Sequence, residues 1–438
     1  MQLANWIFPS IIPASERVAA ALSLSLLFSA TLAADDWPQW RGLNRDGVWN
    51  ESGVPEKFPP GGLEIRWRAP VGAGLSSPIV ARGRVYVTDS ELRKPKAWER
   101  VHCFDEKTGQ ALWTFSNEVN YPDWAFDGPT PAGPCSTPLV ENGRLFALGA
   151  TGDLLCLDAV KGKLIWKKKC RRVYGLEDFP NLTPSPLMES GLLIVVIGGK
   201  PGACVVAFNP RNGKEAWRAL DDSRTYSSPS VASAGGKRQL IIWTLEGVTS
   251  LNPTTGRIWW RETLNTPRDI VIATPIVSGD LMLLGGLMFR LDAQKPAASV
   301  LWPATQALSA RILSQLSLPV IKDGYVFSDK LYGRLVCLDA NNGKQIWETD
   351  KITETKSGAA LHLTPNGDSF LLFTDQGNLI RARLDPSGYQ EICRTHLVDP
   401  TYPFNGRNVV WPPPAYANQH VFARNEKEIV CASLAPRP

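Results

Sequence analysis

Histidine is nearly missing from this chain, with His102, His362, His396 and His420 the four present in 438 residues. None stands at helical or strand spacing from another, which excludes a histidine metal centre or a Ser-His-Asp triad; each reads as a surface or hydrogen-bonded strand residue. No two cysteines are adjacent, the nearest pair being Cys156 and Cys170, and no Cys-x-x-Cys-His occurs, so covalent c-type haem is excluded. Charge of one sign is also lacking. Against 47 Lys plus Arg stand 42 Asp plus Glu, a net charge of +5, and the densest cluster is Lys167 to Lys169 with Arg171 and Arg172. That is too dispersed for nucleic acid.

Long apolar runs are missing with one exception, Val18 to Leu32, which follows Arg17 and leads to the small residues of Thr31-Leu32-Ala33. About fifteen residues that include three serines and a threonine fall short of the roughly 20 that a spanning helix needs. The segment therefore reads as an export signal over residues 1–33, cleaved after Ala33 or Ala34. No cysteine stands near Ala33, so no lipid anchor is expected. The exported chain is assigned to the periplasm or the extracellular space, with no transmembrane segment.

Tryptophan is abundant, at sixteen residues, and most copies recur in one pattern. An apolar strand ends in Asp or Asn, a glycine follows four residues later, and Trp follows four after that. Asp105, Gly109 and Trp113 are one copy; Asp158, Gly162 and Trp166 are the next. Asn209 to Trp217, Asn252 to Trp260 and Asp339 to Trp347 repeat it. The glycine closes a tight turn that needs φ > 0, and the acid bonds backbone amides of the same turn. A second element lies upstream, a hydroxyl residue before proline, with Ser77-Pro78, Thr137-Pro138, Ser185-Pro186, Ser228-Pro229 and Thr274-Pro275 the clear cases. Short alternating runs between the proline and the tryptophan give four antiparallel strands per unit.

Two copies are worn. Asp292 reaches Trp302 across Pro296, and Asp385 reaches Cys393 where tryptophan is expected. The chain ends in three strands without a tryptophan strand, whereas Ile65 to Ala69, around Trp67, is a tryptophan strand with nothing before it. Pairing the two closes a ring and removes the open sheet edges. The outer-strand positions lie about 42 to 53 residues apart and predict an all-β, eight-bladed β-propeller of four-stranded antiparallel blades. Seven blades follow if the stretch around Trp302 is misread. Residues 34–64 form an N-terminal extension and residues 65–438 the single propeller domain. Cys103, Cys156, Cys337 and Cys431 share one repeat position and read as buried small residues. Cys135, Cys170, Cys204 and Cys393 remain for disulfides, with the pairing open.

The acid, glycine and tryptophan pattern resembles the docking motif of the PQQ-type, quinoprotein-like repeat family. The stretches Asp36-Trp37-Pro38-Gln39-Trp40-Arg41-Gly42 and Gly149 to Asp158 are similar to its exported, BamB-like bacterial members. The resemblance implies that Trp67, Trp113, Trp166, Trp217, Trp260 and Trp347 pack between blades. It also raises the alternative of a quinone-dependent alcohol or sugar dehydrogenase, with pyrroloquinoline quinone and calcium over the ring axis and a vicinal cysteine pair. That pair is absent. The expectation is thus a non-catalytic, monomeric binding or scaffold protein without a cofactor or metal, which meets a protein or cell-envelope component through its loop-rich face.

Three insertions define that face: residues 117–134, 171–182 and 398–414. Each connects an outer strand to the next inner strand. Their aromatic and charged residues, Tyr121, Trp124, Asp127, Tyr174, Glu177, Phe179, Tyr402, Phe404, Arg407 and Trp411, are the expected binding rim. The competing reading is that these loops pack on one another and plug the axial channel.

Overall fold

A computed structural model describes residues 36–436 except 177, 178, 180, 265–271, 304–312, 314–316 and 331. The expected export signal and Glu177 lie outside the described residues. Eight four-stranded antiparallel sheets follow one another along the chain. Blade 1 is Ile79–Ala81, Arg84–Arg93, Lys96–Asp105 and Ala111–Val119; blades 2 to 7 repeat the order, ending with Gly388–His396. Blade 8 takes Ala415–Ala417, His420–Arg424 and Glu428–Ser433 from the end of the chain and Ile65–Pro70 from its beginning. Trp67 stands opposite Cys431 in that pairing. The stretch around Trp302 is a full blade, with Ala298–Trp302 paired to Leu287–Leu291, so the count is eight.

The turn chemistry follows from the sequence. Asp105 Oδ1 accepts the amides of Lys107 and Thr108 at 3.1 and 2.9 Å, and Gly109 takes φ +71°. The same turn recurs at Asp158, Asn209, Asn252 and Asp339 with positive φ at each glycine. A second constraint acts on these glycines. Trp67 of blade 8 lies against Gly109 of blade 1, and Trp113 of blade 1 lies against Gly162 of blade 2, where a Cβ would stand 2.5 Å from the indole in both cases. Trp166, Trp217 and Trp302 meet Gly213, Gly256 and Gly343 in the same way.

Most of these indoles also donate to the next blade. The acceptor is the carbonyl of Glu106, Pro210, Pro253, Ala340 or Asp385, at 2.7 to 3.0 Å, for Trp67, Trp166, Trp217, Trp302 and Trp347. Trp302, from the worn copy, is thus a full member of the set. Trp260 differs, because blade 5 offers no turn glycine, and its Nε1 bonds Gln239 Oε1 of its own blade at 2.7 Å. For Trp113 the expected carbonyl, Ala159 O, is taken by the Tyr86 hydroxyl at 3.0 Å, and the indole N–H has no hydrogen-bond partner among the described residues. At the worn Cys393 position the extension substitutes, with the Phe58 amide donating to Cys393 Sγ at 3.1 Å. All eight cysteines are free thiols, including Cys135, Cys170, Cys204 and Cys393.

Two glycine substitutions separate backbone strain from the indole contact. Gly143 (φ +74°) has open space around a Cβ, whereas Gly162 (φ +66°) faces Trp113. Gly143→Ala should cost about 1 kcal/mol from its left-handed backbone alone. Gly162→Ala should cost a further 1–3 kcal/mol, roughly, by overpacking. Denaturant unfolding measures both, and equal costs would remove the contact from the account.

Candidate functional site

The innermost strands of neighbouring blades touch and surround the axis. Their starting hydroxyls stitch the ring together. The amide of Ser77 donates to Thr137 Oγ1, that of Thr137 to Ser185 Oγ and that of Ser185 to Ser228 Oγ, at 3.0, 3.0 and 2.9 Å. Ser136 and Ser227 return a bond to the carbonyls of Pro184 and Ala273, both at 3.0 Å. Each proline lacks an N–H, so the hydroxyls supply the bonds between strands that the backbone cannot.

Residues 36–51 lie across this ring. Trp37 exchanges both backbone bonds with Val80 of blade 1, and Pro38 O accepts from Val140 of blade 2. Trp40 Nε1 donates to Thr274 Oγ1, beside blade 5, at 2.9 Å. Arg45 is buried and gives its guanidinium to Ser185 O, Pro186 O and Pro229 O at 3.0, 2.9 and 3.1 Å, joining blades 3 and 4. Loss of water, then the nearby Arg41, lowers its pKa to about 9. Trp49 bonds Pro365 O of blade 7 and packs on Tyr416 of blade 8, ring centroids 5.5 Å apart.

Above this segment opens a cavity of about 480 Å³, lined by residues from all eight connections between outer and inner strands. Trp40 is the contribution of the axial segment. Trp124, Phe179, Tyr402, Phe404 and Trp411 form aromatic walls, with Ser185, Ser228, Thr183, Asn181 and His362 among the polar lining. Trp124 and Phe179 meet edge to face at 5.4 Å, and Trp411 packs on Tyr402 and Phe404 at 5.2 and 4.8 Å.

The structure divides the expected rim. Trp124 is 56% exposed, and Asp127 beside it pairs with Lys94 at 2.5 Å. Tyr402 and Trp411 line the cavity, with Trp411 Nε1 held by Gly358 O at 2.9 Å. Arg407 does not present its charge outward, because its guanidinium pairs with the buried Asp375 and pins the hairpin Tyr402–Phe404 and Arg407–Val409. Tyr121 and Tyr174 are buried and offer no rim surface. Tyr174 packs between blades 2 and 3, with its hydroxyl on Glu215 at 2.8 Å. The expectation differs here because a hydroxyl aromatic in a long loop looks the same in sequence whether it faces water or a carboxylate on a neighbouring strand.

That carboxylate, for Tyr121, is Glu99. It accepts from the Tyr121 hydroxyl and the Thr151 amide, both at 3.1 Å. Burial raises its pKa to about 7, against the hydrogen bonds, which lower it. Sequence reasoning missed Glu99, His362 and the axial segment. The unrepeated Trp37 and Trp40 were the available signal for the last.

The fold and axial cavity define a class, the PQQ-type propellers. A family model described as "Outer membrane protein assembly factor BamB" matches residues 97–287 and 285–385, and the chain belongs to that family. It is 27% identical over 233 residues to the outer membrane protein assembly factor BamB of Moranella endobia, covering 49% of this chain and 56% of that one. It is 24% identical over 277 residues to a quinone alcohol dehydrogenase subunit of Gluconacetobacter polyoxogenes, covering 58% and 34%. The chain spans about half the length of the first curated relatives it matches. Among solved structures, BamB from Moraxella catarrhalis superposes with TM-score 0.56 over 85% of this chain and 97% of that one, at 14% identity. Quinohemoprotein alcohol dehydrogenase from Comamonas testosteroni gives 0.65 over 92% and 81%, also at 14% identity. At that identity the superpositions establish the fold.

Pyrroloquinoline quinone carries several carboxylates, and the dehydrogenase alternative expects it with calcium. The described lining does not fit it. No Asp, Glu, Lys or Arg lines the cavity among the described residues, and no group of three or more His, Cys, Asp or Glu there is placed to hold a metal ion. Buried anionic groups without cations carry a desolvation cost that no described lining residue offsets.

Glu99 makes stability depend on pH. Its folded pKa lies above the ordinary value near 4.5, so its contribution is fully present below that value and is lost as pH rises towards 7. Glu99→Gln should therefore gain on the natural chain by up to about 3 kcal/mol between pH 5 and pH 8. Unfolding at the two pH values checks this; a constant difference would contradict it.

Proposed function

We propose that this chain is a non-catalytic binding protein of the cell envelope, exported to the periplasm or beyond, which engages a macromolecular partner through the face bearing the cavity. The observation that carries this reading is the lining itself: eight connections converge on an aromatic concavity whose described residues carry no charge and form no catalytic constellation. The family match to an assembly factor supports it. Trp124 is the exposed anchor, and the packed loops around it hold it without the ordering cost of a mobile segment.

Two results test the proposal. Incubated with calcium and pyrroloquinoline quinone, the purified chain should retain no quinone absorbance and reduce no dye with alcohols or sugars; robust turnover would overturn the non-catalytic reading. A photoreactive residue at position 124 should cross-link a partner in envelope preparations, whereas one at Leu112, exposed on an outer strand, should not. Trp124→Ala should weaken that capture about tenfold or more. Equal cross-linking from both positions would move the interface away from this face.

A further inference from the structure

One stretch of the chain carries a charge surplus as large as that of the whole sequence. Residues 160–178 hold seven cations, Lys161, Lys163, Lys167 to Lys169, Arg171 and Arg172, against two carboxylates, Glu177 and Asp178, a surplus of five where the full chain has +5. The cations lie on the outer strand of blade 2, Leu164–Lys169, on the turn before it and on the short helix Cys170–Tyr174 after it.

The repeat explains only part of this. A cation follows the turn glycine at Lys163, Lys214, Arg257 and Lys344 alike, and one charge on an edge strand is enough to discourage pairing with another chain. Beyond the tryptophan the blades part. Trp217 is followed by Arg-Ala, Trp260 by Arg-Glu-Thr and Trp347 by Glu-Thr, but Trp166 by three lysines and, after Cys170, two arginines. The fold uses two of these: Lys167 pairs with Asp153 at 2.7 Å, and Lys168 lies over the Phe208 ring of blade 3 at 5.7 Å. Lys161, Lys163, Lys169 and Arg172 are exposed.

Apolar side chains stand among them. Val160, Leu164, Ile165 and Val173 are 43–56% exposed, four of the eleven large hydrophobic side chains that stand exposed among the described residues. Their backbone is fixed from below, because Trp166 donates to Pro210 O at 3.0 Å and Cys170 and Tyr174 are buried in the core between blades 2 and 3. Lysine, arginine and aliphatic side chains interleaved on one surface suit an anionic bilayer, where cations meet headgroup phosphates and apolar groups reach the boundary with the acyl chains. An acidic protein would answer the charges, but the outer perimeter of a ring offers it no pocket for an anchor residue.

We propose that the outer edge of blade 2 docks this protein on a bilayer of anionic phospholipid, Lys161, Lys163, Lys169 and Arg172 meeting the headgroups and Leu164, Ile165 and Val173 entering the boundary beneath them. None of these residues lines the cavity. The inference therefore goes beyond the envelope-partner reading, and vesicles that contain no protein separate the two.

The test floats the purified full chain with vesicles of phosphatidylethanolamine containing about a quarter phosphatidylglycerol, and with vesicles of phosphatidylcholine alone. Binding to the first and not to the second is expected, weakening steeply from about 0.1 M to about 1 M salt. Lys163→Glu with Lys169→Glu should weaken it about tenfold or more, whereas the reversals Arg257→Glu with Lys344→Glu, at exposed turn positions of blades 4 and 6, should leave it unchanged. Leu164→Ser with Ile165→Ser keeps every charge and should also weaken binding, by about tenfold. An unchanged melting temperature identifies the folded variants; should one fail to fold, the two vesicle compositions compared on the natural chain still decide. No flotation with anionic vesicles, equal flotation with neutral ones, an equal loss from the blade 4 and 6 reversals, or full binding by the serine variant would each overturn the proposal.

Discussion

An indole lying on a glycine of the next blade's turn is the contact on which the ring depends. The glycine serves two purposes there: its backbone takes a left-handed conformation, and its missing Cβ lets the neighbouring tryptophan approach. Because the contact always joins one blade to the next, local hairpin chemistry becomes a rule for assembling sheets. The strand around Trp67 extends the rule across the chain ends, since its indole reaches Gly109 while its backbone pairs with the last strand. Closure leaves no open sheet edge at the junction.

A closed ring concentrates everything irregular in two places, the axis and the connections. Residues 36–51 occupy the axis and use polar backbone of the inner strands that would otherwise face an empty channel, with Arg45 alone satisfying three carbonyls. The connections converge over Trp40 and build the cavity. Among the described residues, charges near the cavity are turned to other groups. Arg407 is spent on Asp375, and Glu99 on Tyr121 and Thr151, both holding loops in place.

The propeller was legible because most blades present the same acid, glycine and tryptophan to their neighbours, so the physics repeats and the period shows. Trp302 kept its place even where Pro296 obscured the turn, since the indole needs only the next blade's glycine, Gly343. Trp260 shows the converse, an intact tryptophan whose neighbour lacks the turn glycine. The site was less legible. Trp124, Tyr402 and Trp411, expected from loops that exceed the repeat, line the cavity, whereas Tyr121 and Tyr174 turn to Glu99 and Glu215, carboxylates on strands that no local pattern announces. The axial segment occurs once and has no period, and His362 acts through a carbonyl 49 residues away.

The central claim is that residues 36–51 belong to the folded ring and form the base of the cavity. Hydrogen exchange of the backbone amides of Trp37 and Trp49, bonded to Val80 O and Pro365 O, tests it most directly. Protection comparable to that of the Asp158 amide, bonded to Lys163 O inside blade 2, is predicted, with all three lost together on unfolding. Exchange at the rate of a free tail at Trp37 and Trp49, with Asp158 still protected, would contradict it.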